Sequence, residues 1–111
     1  MADDVIDLTT FNELQENVGA DFVIELVETF LNEAPAMIAE LRDALANDDA
    51  EAFRRAAHSL KTNANTFGAL KLGTYARELE QGGLPEDVNS LDALEVVYTQ
   101  AVAALRVLRD G

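Results

Sequence analysis

The sequence predicts an all-α fold, an antiparallel four-helix bundle with a short extra N-terminal helix, and three observations carry that prediction. Apolar residues recur at three- and four-residue steps through four long segments. Ala, Leu, Glu and Val dominate, while Pro and Gly number two and six, a balance that favours helix over sheet. The connections between the segments are short and polar, and short connections make neighbouring helices antiparallel.

The 111 residues suit one domain, 1–111, and 49% of them are apolar, enough to fill a core. Residues 1 to 8 read as a loose leader. Thr10 with Glu13 fits a capping box, from which Phe11 and Leu14 start a short helix ending near Gly19. From Ala20 to about Asn47 the residues Val23, Leu26, Val27, Phe30, Ala34, Met37, Ile38, Leu41 and Leu45 form one apolar stripe. Pro35 interrupts its hydrogen-bond ladder and predicts a kink, but the stripe keeps phase across it. At 1.5 Å per residue this run is roughly 40 Å long, so its first turns have the short N-terminal helix to pack against.

Asn47-Asp48-Asp49 predicts a tight polar turn and a cap for the next helix, about Ala50 to Thr66, with Gly68 as its stop. A fourth helix follows from about Ala69 to Gln81, with Leu72, Gly73, Ala76 and Leu79 inward. Gly82-Gly83-Leu84-Pro85 is a loop. The last helix runs from near Ser90 to Leu108, turning Leu91, Leu94, Val97, Tyr98, Ala101, Leu105 and Leu108 inward. No linker, internal repeat or low-complexity segment divides the chain.

The composition excludes several classes of function. A formal charge of -13 repels nucleic acid and anionic membrane surfaces. The absence of cysteine removes disulfides, thiolate nucleophiles and thiolate metal sites. With one histidine, no ordinary zinc or iron site is expected, and no Glu-x-x-His pair marks a di-metal bundle. No phosphate-cradling glycine motif is present. The N-terminus, MADDVID, is acidic and unlike a signal peptide, and no apolar run reaches the roughly 20 residues of a membrane span. A cytoplasmic protein, monomeric because one bundle buries all the stripes, is the expectation.

Against this background the stretch Ala52 to Arg77 stands out. It holds no Asp or Glu, five of the eight basic residues (Arg54, Arg55, Lys61, Lys71, Arg77) and the only histidine, His58. Projected at about 100° per residue, Phe53, Ala56, Ala57, Leu60, Ala64 and Phe67 form the buried stripe. His58 falls on the opposite side, with Arg54, Arg55, Lys61, Thr62 and Asn65 around it. An exposed histidine on a helix is ordinarily just solvated. Here the surrounding cations disfavour a further positive charge on the ring and favour the nucleophilic form. They would also compensate the negative charge of an added phosphoryl group. Ser59 has nothing to mark it as a nucleophile, so a self-sufficient enzyme is not expected.

Residues 57 to 69, Ala-His-Ser-Leu-Lys-Thr-Asn-Ala-Asn-Thr-Phe-Gly-Ala, resemble the signature of histidine-containing phosphotransfer (HPt) domains of bacterial phosphorelays. His58, Leu60, Lys61 and Gly68 match its pattern. Ala34-Pro35, the Asn-Asp-Asp turn, Arg-Arg-Ala-Ala-His and Leu79-Glu80 extend the likeness over most of the chain. Thr62 departs from it, standing where the family usually has Gly beside the histidine.

The resemblance implies that His58 takes a phosphoryl group from one receiver-domain aspartate and passes it to another. It implies that Lys61 holds a phosphoryl oxygen, with Thr62, Asn65, Arg54 and Arg55 as neighbours and Gly68 in support. Glu80 would accept the proton of the other ring nitrogen. The implied partners are response-regulator receivers and a hybrid sensor histidine kinase. Magnesium belongs to the receiver, so the chain itself needs no cofactor and is a carrier without catalytic activity of its own. An alternative is a receiver-binding helical module that is never phosphorylated. Ile24, Leu31 and Leu70 are candidates for exposed apolar docking residues, and a start at Met favours a free-standing protein.

Overall fold

The structure is a computed structural model in which residues 5–110 are described. Half of the leader expected over residues 1 to 8, its first four residues, therefore lies outside the described residues. Helix α1 spans Leu8–Val18, α2 Ala20–Ala46, α3 Ala50–Thr66, α4 Leu70–Gly82 and α5 Asn89–Asp110. Helices α2 to α5 close a ring: α2 packs on α3, α3 on α4, α4 on α5 and α5 on α2, with α1 against α2 and α3. This is the bundle with an extra N-terminal helix that the periodicity predicts.

Each long helix buries the stripe read from its sequence. In α2 the residues Val23, Val27, Phe30, Ala34, Ile38 and Leu41 are buried, and Leu26, Met37 and Leu45 pack at the margin. In α3 all of Phe53, Ala56, Ala57, Leu60 and Ala64 are buried. Helix α4 contributes Leu72, Gly73 and Ala76, and α5 contributes Leu91, Leu94, Val97, Ala101 and Leu105. The Phe30 and Phe67 rings meet at 5.4 Å, tilted by 40°, a favourable aromatic geometry that ties α2 to the turn between α3 and α4.

Pro35 lies inside one continuous α2. It sits on the exposed side of the helix, where water can satisfy the carbonyl that loses its partner. The turn before α3 forms as expected: the Asp49 side chain accepts from the Ala52 backbone N–H at 3.1 Å. At the edge of the bundle, Arg42 of α2 donates to Asp92 and Glu95 of α5, each at 2.9 Å.

Two expectations for the N-terminus are corrected. The helix starts at Leu8, not at Thr10, so the capping box does not form; Thr10 instead donates its hydroxyl back to the Asp7 carboxylate. The leader is also not loose where it is described. Ile6 is fully buried, and the Asp7 backbone N–H donates to the Gly68 carbonyl at 2.7 Å.

Gly68 is what admits this segment. Its φ is +83°, and a Cβ there would lie 2.6 Å from the Asp7 carbonyl oxygen. Both the left-handed backbone, which costs roughly 1–2 kcal/mol for a non-glycine residue, and the backbone collision oppose any side chain. Gly68→Ala is therefore expected to lower the unfolding free energy by about 2 kcal/mol or more in urea. Gly82→Ala, with nothing within 4 Å and an ordinary helical backbone, is expected to be neutral or to stabilise by up to about 1 kcal/mol.

Candidate functional site: a histidine, lysine and glutamate on two antiparallel helices

The α3–α4 hairpin turns about Ala69, and this sets the site. In an antiparallel pair, residues equally distant from the turn face each other. His58 and Glu80 stand eleven residues either side of Ala69 in the sequence. The buried stripe of α3 fixes which way His58 points. With Phe53, Ala56, Ala57, Leu60 and Ala64 facing the core, the imidazole is carried outward and is 56% exposed. Glu80 follows Ala76 by one turn of α4, at the border of the buried stripe, and is only 14% exposed.

The Glu80 carboxylate reaches across the seam to two partners. Its Oε2 lies 2.7 Å from His58 Nδ1, and its Oε1 accepts from Lys61 Nζ at 2.7 Å. Lys61 is one turn beyond His58, so both partners lie along one edge of α3. The two contacts hold the carboxyl of Glu80 below the usual carboxylate range. The Lys61 hydrogen bond is the larger cause and the His58 hydrogen bond the second. An ionised carboxylate only accepts hydrogen bonds, so Nδ1 is the donor in this pair. In the uncharged ring Nε2 then carries the free lone pair, pointing to water.

The other residues named from the sequence are placed as follows. Thr62 is exposed on the same face, one turn after His58, and its carbonyl accepts the Thr66 hydroxyl at 2.9 Å. Arg54 is exposed one turn before it. Arg55 turns away, toward a groove of about 450 Å³ between the end of α2 and the start of α3, lined also by Glu40, Asp43, Asp49 and Ser59. Asn63 donates to the Ser59 carbonyl at 2.8 Å and does not face the imidazole. Asn65 stands two turns from His58, over Gly73 of α4. Gly68 lies in the hairpin turn, against Asp7.

One reading of this face changes. Glu80, which the resemblance named for the other ring nitrogen, lies at Nδ1 and enters from outside the acid-free run, across the helix seam. Lys61, expected to face a phosphoryl oxygen, is paired with Glu80. The signal for both was in the sequence: a tight turn at Phe67–Ala69 makes 58 and 80 partners, once the turn is used as the origin of the count. Among the apolar candidates, Ile24 and Leu70 are exposed, whereas Leu31 is half-buried. Phe22, Val88, Val96 and Val107 are exposed as well, and no periodicity argument had singled them out. Among the described residues there is no cluster of three or more metal-ligating side chains, and no helix is long and apolar enough to cross a membrane.

Known proteins share this fold and family. Residues 25–106 match the family model of the Hpt domain. The phosphorelay protein LuxU of Vibrio harveyi is 26% identical over 111 residues, covering all of this chain and 95% of that protein. The phosphorelay protein LuxU of Vibrio vulnificus strain YJ016 is 37% identical over 67 residues, 60% of this chain and 58% of that one. The crystal structure of histidine-containing phosphotransfer protein B (HptB) from Pseudomonas aeruginosa PAO1 superimposes with a TM-score of 0.77 at 30% identity, covering 96% of this chain and 91% of that one. With the family model matching residues 25–106, this chain belongs to the Hpt domain family, the histidine phosphotransfer proteins of phosphorelays.

Proposed function

We propose that His58 is the phosphoryl acceptor and donor of this phosphotransfer protein, and that Nε2 is the reacting atom. The observation that carries the proposal is the 2.7 Å contact between Nδ1 and Glu80 on a ring otherwise open to solvent. The Nε2 lone pair attacks the phosphorus of an aspartyl phosphate on a receiver domain. The N–P bond forms as the acyl P–O bond breaks, and the aspartate leaves as a carboxylate. Because the proton already sits on Nδ1, none has to leave Nε2 before attack. The ring then gains positive character, which the Glu80 carboxylate offsets at close range. The same steps in reverse deliver the phosphoryl group to a second receiver.

Lys61 acts through Glu80, holding its carboxylate ionised and aimed at Nδ1. Arg54 and Thr62, exposed on the turns either side of His58, are the nearest candidates to meet the phosphoryl oxygens. Arg55 and Asn65 stand farther off. The protein is a carrier: kinase activity and the magnesium needed for aspartyl-phosphate chemistry reside in its partners, a hybrid sensor histidine kinase and response-regulator receivers. We place it in the cytoplasm as a monomer. The rival reading, a receiver-binding module that is never phosphorylated, gives no reason to fix the ring tautomer of an exposed histidine.

Three outcomes follow. Incubation with a receiver charged by a small acyl phosphate is expected to label the wild-type protein, and His58→Gln to abolish the label while leaving the fold intact by circular dichroism. Receiver binding without label on the wild type would overturn the proposal in favour of the interaction module.

Glu80→Gln is expected to slow labelling by about tenfold, equal to about 1.4 kcal/mol in the barrier, and Lys61→Met to slow it less.

The Glu80 pairing also makes stability depend on pH, with a sign set by the depressed folded-state value. Its contribution is full above the ordinary glutamate value of about 4.3 and is lost as pH falls through the lower folded value. Urea midpoints of wild type and Glu80→Gln are therefore expected to differ at neutral pH and to converge only below the ordinary carboxylate range.

A further inference from the structure

Among the described residues, Gly73 is the helical glycine whose missing side chain leaves room for a side chain of another helix, that of the exposed Asn65. A Cβ built on it would overlap Oδ1 of Asn65 and lie 2.8 Å from Asn65 Cγ; the three nearest atoms all belong to the Asn65 side chain. Gly73 and Asn65 face each other four residues either side of Ala69, in the same antiparallel register as His58 and Glu80 at eleven. Each pair is separated from the other by seven residues on its own helix, two turns, so all four lie along one edge of the α3–α4 seam. Gly73 is buried with normal helical φ, and glycine in a helix interior lowers helix propensity relative to alanine. Nothing in the backbone asks for glycine there; the space a side chain would take is held by the Asn65 amide.

We propose that Gly73 is a positioning residue for His58: by admitting the Asn65 side chain into the seam it sets the α3–α4 separation at which Glu80 reaches Nδ1. The proposal rests on the reading of His58 and Glu80 given above. The Glu80 contacts are both 2.7 Å, so an outward shift of α4 by roughly half an ångström takes them to the long end of the hydrogen-bond range and weakens them. A side chain at position 73 would force that shift, or force Asn65 out of the seam.

The test reads the ring itself, in the full chain without phosphate. The 15N shifts of the His58 imidazole, at a pH where the ring is neutral, distinguish one protonated and one bare nitrogen from a rapidly exchanging mixture. Wild type is expected to show two widely separated nitrogens and Glu80→Gln to bring them together. Gly73→Ala is expected to move them toward the Glu80→Gln values. Asn65→Ala alone is expected to stay at wild type, and the Gly73→Ala/Asn65→Ala double variant to return to it, because the obstructing atoms are gone. A purely structural role for Gly73 predicts no such rescue. The proposal is overturned if Gly73→Ala leaves the shifts unchanged, meaning that Asn65 simply swings into water, or if the double variant is displaced as far as the single. Should Gly73→Ala not fold, a folded double variant with wild-type shifts still supports the proposal, and one that is unfolded or displaced overturns it. Failure of the wild type to accept phosphate would sink the functional reading while leaving this measurement interpretable.

Discussion

A single carboxylate spanning the α3–α4 seam is the interaction on which the site depends. Glu80 binds His58 with one oxygen and Lys61 with the other, both at 2.7 Å. The two donors differ in role. The Lys61 hydrogen bond is the larger cause that keeps the carboxylate ionised; His58 is the group whose proton the carboxylate then locates. Exposed ion pairs contribute little to stability. This one is largely withdrawn from water on the carboxylate side and open on the imidazole side, so its main effect is on the chemistry of the ring.

The contact requires a particular hairpin, and the hairpin requires a particular turn. Gly68 bends the chain in a left-handed conformation, with its carbonyl bound by Asp7 and the space of its missing side chain taken by the backbone of the leader. The N-terminal segment is therefore part of the scaffold that fixes the register of α3 against α4. Phe67, stacked on Phe30, anchors the same turn to α2. The chain places its acids accordingly. The run from Ala52 to Arg77 excludes them, and the one carboxylate at the imidazole comes from beyond it, already paired with a cation. The exposed charged side chains that the run itself contributes are all basic, in a protein whose formal charge is -13.

Most of the fold was legible in the sequence because amphipathic periodicity is a local signal. The stripes of α2, α3 and α5 needed only a count of three and four, and Asp49 announced the start of α3 by its chemistry. His58 was legible for the same reason: the stripe on its own helix fixes its outward direction. What escaped were facts that depend on two segments at once. Ile6 and Asp7 read as leader because the Gly68 turn, against which this segment packs, lies 61 residues after Asp7. Lys61 looked available for phosphate because its carboxylate partner lies on another helix. Arg55 looked like a neighbour of the imidazole because helical projection gives an angle and takes no account of the groove on the α2 side. Asn65 was grouped with the phosphate neighbours on polarity, and its engagement with Gly73 is invisible without the packing of α3 on α4.

The interior of the bundle has a consequence of its own. Among the described residues it contains no polar or charged side chain; it is hydrocarbon throughout, from Ile6 to Leu105. Greasy interiors of this kind tolerate exchange of one aliphatic group for another of similar bulk, and beyond the tilted Phe30–Phe67 pair this one supplies little directional contact to stop one helix sliding along the next. Alignment must come from the periphery: the Arg42 fork onto α5, the leader wedged at the hairpin, and the glutamate bridge itself. In such a molecule the core can drift in evolution with little penalty, while the rim carries the information that says which residue stands opposite which.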